Sequence, residues 1–371
     1  MQPFQLERYF ARYEFEVQHL LCASDCESLS LAEVLAAASP ALLHRWETLR
    51  LGYTESQGDP ALRAAIAASY TTISTEDMLV AAPEELIFLL MHSFLHPGDE
   101  IVAIAPAYQS LHEVAQSIGC TVQPWPVRAV DGEWRLDMSE LEALVTDRTR
   151  LIVVNFPHNP TGYLPSAADF AAIVAIADRH GMAIFCDEMY RGLEYTASDR
   201  LPSICDVYPR GIALSGLSKV HALPGLRIGW LALHDPALLA AMQAMKDYTT
   251  ICNSAPSEAL ALMALDAQDE IIARNLGIIA GNRDAAAALC ARHPSLLTWL
   301  APKAGSVAFP QWRGAMPVDE LCERLVSEEG VLLAPGSLFD AGASHFRFGL
   351  GRRGFEAGLA RIEAWLERMP A

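Results

Sequence analysis

Between Leu151 and Asp187 the chain reads LIVVNFPHNPTGYLPSAADFAAIVAIADRHGMAIFCD. Leu151–Asn155 and Ala183–Cys186 are continuous apolar runs, and Ser166–His180 between them has the spacing of an amphipathic helix. An unbroken apolar run is expected of a strand buried on both faces, and a helix long enough to cross over lets two such strands lie parallel. The same alternation extends outward on both sides. Met78–Ala81, Glu100–Ile104, Thr121–Pro124, Gly211–Leu214 and Arg227–Leu233 read as further strands. Glu84–Leu95, Gln109–Ile118 and Ser139–Val145 read as helices. The spacing predicts an α/β fold: a mostly parallel, seven-stranded type of sheet covered by helices.

The two ends have a different character. After residue 270 come a helix (Ile271–Arg292), a strand (Ser306–Gln311), a helix (Val318–Glu328), strands near Val331 and Phe346, and an amphipathic helix from Phe355. This is an α+β pattern with antiparallel pairing expected. At 371 residues the chain exceeds the usual size of one core. We therefore expect a large domain over 46–275 and a smaller, discontinuous α+β domain built from 1–45 and 276–371.

Composition limits the function. Apolar residues make up 52% of the chain, and 45 acidic against 27 basic residues give a net charge of −18. With no dense Lys/Arg run, nucleic acid and anionic membrane surfaces are not expected partners. The eight cysteines are scattered through apolar runs, as expected of free thiols in a reducing cytoplasm. Cys22 and Cys26 lack a second pair at zinc spacing, and His92 and His96 lack the glutamate of a zinc-protease helix, so no metal is expected. The first ten residues lack the layout of a signal peptide, and the expected location is cytoplasmic.

Four short segments fall at strand ends, where open α/β sheets bind ligands. Ser215-Gly216-Leu217-Ser218-Lys219 follows one apolar strand, and Arg227 stands eight residues past the lysine. A lysine amine desolvated in such a crevice loses basicity and can condense with an aldehyde. Alone, it would read as a surface lysine after a turn. Asn159-Pro160-Thr161-Gly162, Asp187-Glu188-Met189-Tyr190 and Pro106-Ala107-Tyr108 would read separately as a turn, a helix cap and a packed ring.

In this order and spacing the segments resemble the class I/II aminotransferases, fold-type I enzymes dependent on pyridoxal 5'-phosphate. The resemblance runs from about Leu51 to about Gly351. It implies that Lys219 carries the cofactor as a Schiff base and acts as general base, and that Asp187 pairs with the pyridine nitrogen. It implies that Asn159 and Tyr190 bond the phenolic oxygen, with Tyr190 counted among the catalytic residues, and that Tyr108 stacks on the ring. Arg227 would clamp the phosphate, helped by the helix start near Pro83 and Glu84 and by Ser215 or Ser218. Tyr53 would reach the neighbouring subunit's phosphate, implying a homodimer with shared active sites. Arg347, in His345-Phe346-Arg347-Phe348-Gly349, would fork onto the substrate carboxylate, with Asn159 beside it.

Two positions depart from the family pattern. Ala82-Pro83-Glu84 stands where small hydroxyl residues or glycine usually cup the phosphate, and Gly216 replaces a common phosphate-binding serine. The activity implied is amino transfer between an amino acid and a 2-oxo acid. The same motifs also serve lyases, decarboxylases and cyclising synthases, and Phe4–Leu31 is similar to capreomycidine-synthase-like proteins. A non-catalytic, pyridoxal-phosphate-binding regulator would carry a helix-turn-helix domain, for which the stretch before Leu51 leaves no room. Gly349-Leu350-Gly351-Arg352-Arg353-Gly354 fits a dinucleotide loop, but only 17 residues follow, too few for the second strand. Specificity is expected from Tyr13–Ser30, Arg191 and the neighbouring subunit, where no residue dictates a charge.

Overall fold

The computed structural model describes residues 1–369. At its centre lies a seven-stranded sheet in the order Met78–Ala81, Gly229–Leu233, Gly211–Gly216, Ala183–Asp187, Thr149–Asn155, Glu100–Ala105, Thr121–Pro126. Only Gly229–Leu233 runs antiparallel to its neighbours; the other pairs are parallel. The apolar runs thus become strands buried on both faces, except at the sheet edge, where Thr121–Pro126 is largely half-buried or exposed. Along Ala183–Asp187, Phe185 packs into one apolar cluster while Ile184 and Cys186 pack into the other, as a period of two requires. The crossover helix Ala167–His180 begins at Ser166, whose hydroxyl accepts the Asp169 N–H at 3.1 Å, and it ends at Gly181 in the left-handed region.

Two readings are corrected. Arg227 is not in a strand: it closes the 3-10 turn Pro224–Leu226 at φ +54°, and the strand starts at Gly229. The expected strand Ser306–Gln311 is broken into Val307–Ala308 and Gln311–Trp312, because Phe309-Pro310 interrupts the ladder and proline has no N–H to give.

The beginning and end of the chain lie side by side. His19–Leu20 pairs in parallel with Val331–Leu332, and the Gly349 N–H donates to the Leu21 carbonyl at 2.7 Å. Phe346–Gly349 pairs antiparallel with both Val307–Ala308 and Ala334–Pro335. A 25-residue helix, Gln268–Arg292, joins this layer to the sheet. On one of its faces, buried Asn275 donates to the Val220 carbonyl at 2.9 Å. Seven residues on, Asn282 donates to the Leu350 and Arg352 carbonyls at 2.8 and 2.7 Å.

Gly349 is the tightest crossing. A methyl group added there would overlap the Ala23 carbonyl and backbone nitrogen, so only glycine lets the N-terminal segment lie this close. Gly349→Ala is expected to lose roughly 1–3 kcal/mol or more by overpacking. Urea unfolding measures the loss; a variant as stable as the parent would show that the Ala23 segment is free to move.

Candidate active site

Four parallel strands point their carboxyl ends to one edge, and the marked residues emerge there. Asn155 and Asp187 are register partners on adjacent strands, and Asp187 stands opposite Leu214 on the next. The Asn155 amide donates to the Asp187 carbonyl at 2.8 Å, while its Oδ1 accepts the Asn159 N–H at 2.7 Å. That pair sets the turn carrying Asn159. His158 is neutral: burial pushes its pKa down to about 4. Its Nε2 lies 2.8 Å from the Pro106 carbonyl, which can only accept, so Nδ1 accepts the Thr161 hydroxyl at 2.7 Å. One imidazole thereby ties the Asn159 turn to the segment carrying Tyr108.

The Asp187 carboxylate receives one hydrogen bond, from the Met189 N–H at 3.0 Å, and no cation pairs with it. Burial pushes its pKa up to about 7. Lys219 donates to the Ser24 hydroxyl at 2.8 Å. Burial pulls its pKa down, Asp25 and Asp187 oppose that shift, and Arg347 adds to it. The Tyr190 hydroxyl, on a side chain 2% exposed, makes no hydrogen bond, although Ser24 is close, and burial raises its pKa. The Ser218 hydroxyl is also buried without a partner. A buried hydroxyl left unpaired costs about 1–3 kcal/mol, so two of them at one crevice mark a place for a polar ligand.

Arg347 is 0% exposed. Its Nε and Nη2 donate to the Cys22 carbonyl at 3.1 and 2.8 Å, and Nη1 donates to Asn159 Oδ1 at 3.0 Å. The Phe339 ring lies 4.9 Å from the guanidinium carbon. Among the described residues no carboxylate touches it, and burial pulls its pKa below the usual value. A buried, unneutralised guanidinium with its fork held in place is a site for a carboxylate.

The phosphate-end residues are less tightly gathered. Pro83 is the first residue of the Pro83–Phe94 helix, whose N-cap Ala82 supplies no side-chain cap. The Glu84 and Glu85 N–H groups are therefore open donors. Burial raises the Glu84 pKa and the Ser110 hydroxyl donates to it at 3.3 Å, so its charge opposes an anion less than the sequence implies. Arg227 is exposed and bonds only the Pro224 carbonyl, at 3.0 Å. Ser215 is half-buried in the ladder opposite Trp230. A Cβ at Gly216 would stand 2.9 Å from Gly229 Cα and 3.0 Å from the Ile228 carbonyl, so the strands leave no room for the serine common there. Tyr53 is 91% exposed and lies outside the crevice of its own chain.

Tyr108 donates its hydroxyl to Glu7 at 2.9 Å, and its ring lies 4.9 Å from that of Phe4. Glu7 and His158 were missed from sequence, and Ser24 and Asp25 lie in the Tyr13–Ser30 stretch without having been singled out. Asp25 pairs with Arg352 at 2.8 Å. Arg191, expected to help specificity, instead donates to the Leu201 carbonyl at 3.1 Å beside Glu188. A separate cavity of about 490 Å³, lined in part by Gln5, Gln109, His112 and Asp340, opens beyond Ala107 and holds none of this cluster. Among the described residues no group of three or more His, Cys, Asp or Glu is placed to hold a metal ion. No described helix is long and apolar enough to cross a membrane.

The Asp187 shift carries a sign. Its folded pKa is raised to about 7, above about 4 for an unfolded chain, so in cofactor-free protein its stabilisation is full below about pH 4 and lost by about pH 7. Asp187→Asn lacks that loss. The stability of cofactor-free Asp187→Asn relative to the parent should climb by a few kcal/mol between those pH values and level off above them, as read from urea midpoints. A flat difference would show that Asp187 already ionises normally.

Comparison with known proteins agrees with this geometry. Residues 17–353 match the model of the family "Aminotransferase class I and II". The chain is 31% identical to capreomycidine synthase of Streptomyces vinaceus, over 96% of this chain and 92% of that one. A PLP-dependent aminotransferase from Streptococcus suis superposes with a TM-score of 0.93 at 29% identity, covering 100% of this chain and 99% of that one. The PLP-dependent cyclase OrfR superposes at 0.90 with 30% identity, over 99% and 97% of the two chains. With a half-buried lysine just past a strand end, in the electrostatic reach of an unpaired carboxylate and an unpaired guanidinium, and a family match over nearly its whole length, the chain belongs to the class I and II aminotransferases, enzymes that depend on pyridoxal phosphate.

Proposed function

We propose that the protein transfers an amino group between an amino acid and a 2-oxo acid, with Lys219 as the covalent attachment point for pyridoxal phosphate. The observation that carries this reading is the Lys219 amine, held by Ser24 in a crevice that also contains Asp187 without a cation and Arg347 without an anion. The residues present fit the cofactor. Asp187 would take the pyridine N–H, and the unpartnered Tyr190 hydroxyl and Asn159 would take the phenolic oxygen. Tyr108 would flank the ring. The open Glu84 and Glu85 N–H groups, the Ser218 hydroxyl and Arg227 would hold the phosphate, with Ser215 at the same strand end.

When bound, the cofactor supplies an electron sink for the pair left as a bond to the substrate α-carbon breaks. The chain supplies position and proton transfer. Arg347, pre-aimed by Cys22 and Asn159, fixes the substrate carboxylate and so orients the α-carbon. Lys219 Nζ, made less basic by burial, takes the α-proton and returns it. A second reading is favoured by the similarity to capreomycidine synthase and to OrfR: the same site could end in cyclisation or elimination. Trapping a 2-oxo acid product with a hydrazine reagent separates amino transfer from cyclisation, since a cyclised product keeps its nitrogen, and release of free ammonia alongside the 2-oxo acid marks elimination.

The test of the attachment point is chemical. Borohydride reduction followed by peptide mass mapping should find the pyridoxyl group on Lys219, and Lys219→Ala should lose at least about 10²–10⁴-fold in turnover. Label on any other lysine overturns the reading.

The division into a 46–275 domain and a domain formed by 1–45 with 276–371 is likewise our assignment. It is supported by the pairing of His19–Leu20 with Val331–Leu332, with the Gln268–Arg292 helix crossing the boundary. We also assign a homodimer. Leu51 (83% exposed), Tyr53, Tyr248 (93%) and Ile251 present apolar surface on two loops, joined where the Thr54 hydroxyl donates to the Asn253 carbonyl at 3.1 Å. Such a patch calls for a partner. Sedimentation should give a dimer at micromolar concentration, and Tyr53→Phe should weaken cofactor retention without lowering the unfolding midpoint. Active protein that sediments only as a monomer would contradict the shared site.

A further inference from the structure

Within the stretch 21–26 only Ser24 is not buried. Each of its neighbours is fixed. The Leu21 carbonyl accepts the Gly349 N–H, the Cys22 carbonyl accepts the Arg347 fork, and Ala23 is pressed against Gly349. The Ser24 carbonyl accepts the buried Ser306 hydroxyl at 2.6 Å, and the Asp25 carboxylate receives Arg352 at 3.0 and 2.8 Å. The Ser24 main chain is thus held from both sides, and only its hydroxyl can turn. That hydroxyl meets Lys219 Nζ at 2.8 Å, the one hydrogen bond the amine makes among the described residues.

The chemistry of this partner matters as much as its place. Asp25, Asp187, Glu7, Glu14 and Arg347 all lie within the electrostatic reach of Lys219, yet among the described residues no carboxylate touches the amine. Asp25, next to Ser24 in the chain, turns its carboxylate to Arg352 instead. A carboxylate only accepts, so it would hold the ammonium far better than the neutral amine and keep the proton on nitrogen. A hydroxyl accepts from the ammonium and can give its own hydrogen to the lone pair of the neutral amine. Such a contact survives both gain and loss of the proton. A lysine carries its amine on a long flexible stem, so without a hold of this kind the amine sweeps the crevice.

Resting on the reading of Lys219 as attachment point and proton carrier, we propose that Ser24 is its positioning residue: the hydroxyl holds the amine whenever the amine is free of the cofactor, in either protonation state. The α-proton passes from the substrate carbon to Nζ and back, while the Ser24 hydroxyl turns between accepting and donating and ends with the proton it began with.

Two measurements test this. In cofactor-free protein, the pH dependence of acetic anhydride labelling, read by peptide mapping, gives the Lys219 pKa. Ser24→Asp should raise it by about 1–3 pH units, because a carboxylate then faces the ammonium. Ser24→Ala should leave it within about half a pH unit of the parent, since a hydroxyl serves both forms. In the holoenzyme, α-proton exchange in heavy water is followed by NMR on whichever of the common L-amino acids the parent exchanges fastest. Ser24→Ala should slow that exchange roughly tenfold to hundredfold and change the half-saturating concentration by less than about threefold. Ser24→Thr, which keeps the hydroxyl, should recover most of the rate. In Ser24→Asp the rate should climb only at higher pH than in the parent, because Nζ must be neutral to take the proton. Exchange by Ser24→Ala as fast as the parent's, or a Lys219 pKa unmoved by Ser24→Asp, overturns the inference and leaves the enzyme reading intact. A parent that exchanges no amino acid overturns both.

Discussion

The structure depends first on one buried positive charge. The Arg347 guanidinium spends its fork on a backbone carbonyl from the first strand region and a side-chain oxygen from the Asn159 turn, 325 and 188 residues away in sequence. A carboxylate partner would have made it a closed ion pair. Neutral oxygens aim it and leave its charge available, and desolvation makes that charge costly until an anion arrives. The Ala23 crossing at Gly349, the Asn155–Asn159 bond and the packing of Phe10 and Phe339 all serve to keep this side chain still. The same N-terminal segment brings Ser24 to Lys219, so the two ends of the substrate site are held by neighbouring residues, Cys22 and Ser24.

What was legible in the sequence was whatever depends on local pattern. All seven strands of the central sheet were found to within two residues at every boundary; for the inner strands this is because an apolar run buried on both faces has no polar residue to blur it. Arg227 shows how such a boundary slips: the run Ile228–Leu233 made its neighbour look like strand, whereas the chain turns through a left-handed residue there. The strand-end positions of Asp187, Lys219, Asn159 and Tyr108 were legible for the same reason. Ser24 and Glu7 were not. Ser24 meets Lys219 across 195 residues and Glu7 meets Tyr108 across 101, and no periodicity carries that information. Tyr53 was legible only through family likeness, and within one chain it faces outward.

The two departures at the phosphate end also acquire physical reasons. Gly216 is required by the close approach of two antiparallel strands, so the missing serine is a packing matter, and the unpartnered Ser218 hydroxyl stands nearby. Glu84 looked like misplaced negative charge, but burial holds its pKa up, and Pro83 gives up an N–H that no helix interior would have used.

The Gln268–Arg292 helix acts as a ruler. Asn275 grips the residue after Lys219, and Asn282 grips the carbonyls three and five residues after Arg347. Seven residues of helix separate these grips by about 10 Å along its axis, two turns that return to nearly the same face. The interval between the lysine and the arginine is thus copied from helical pitch rather than from loop length. Surface loops can therefore lengthen without altering the gauge. A single inserted residue between Asn275 and Asn282 would turn one grip about 100° away from the other and uncouple the two ends of the site.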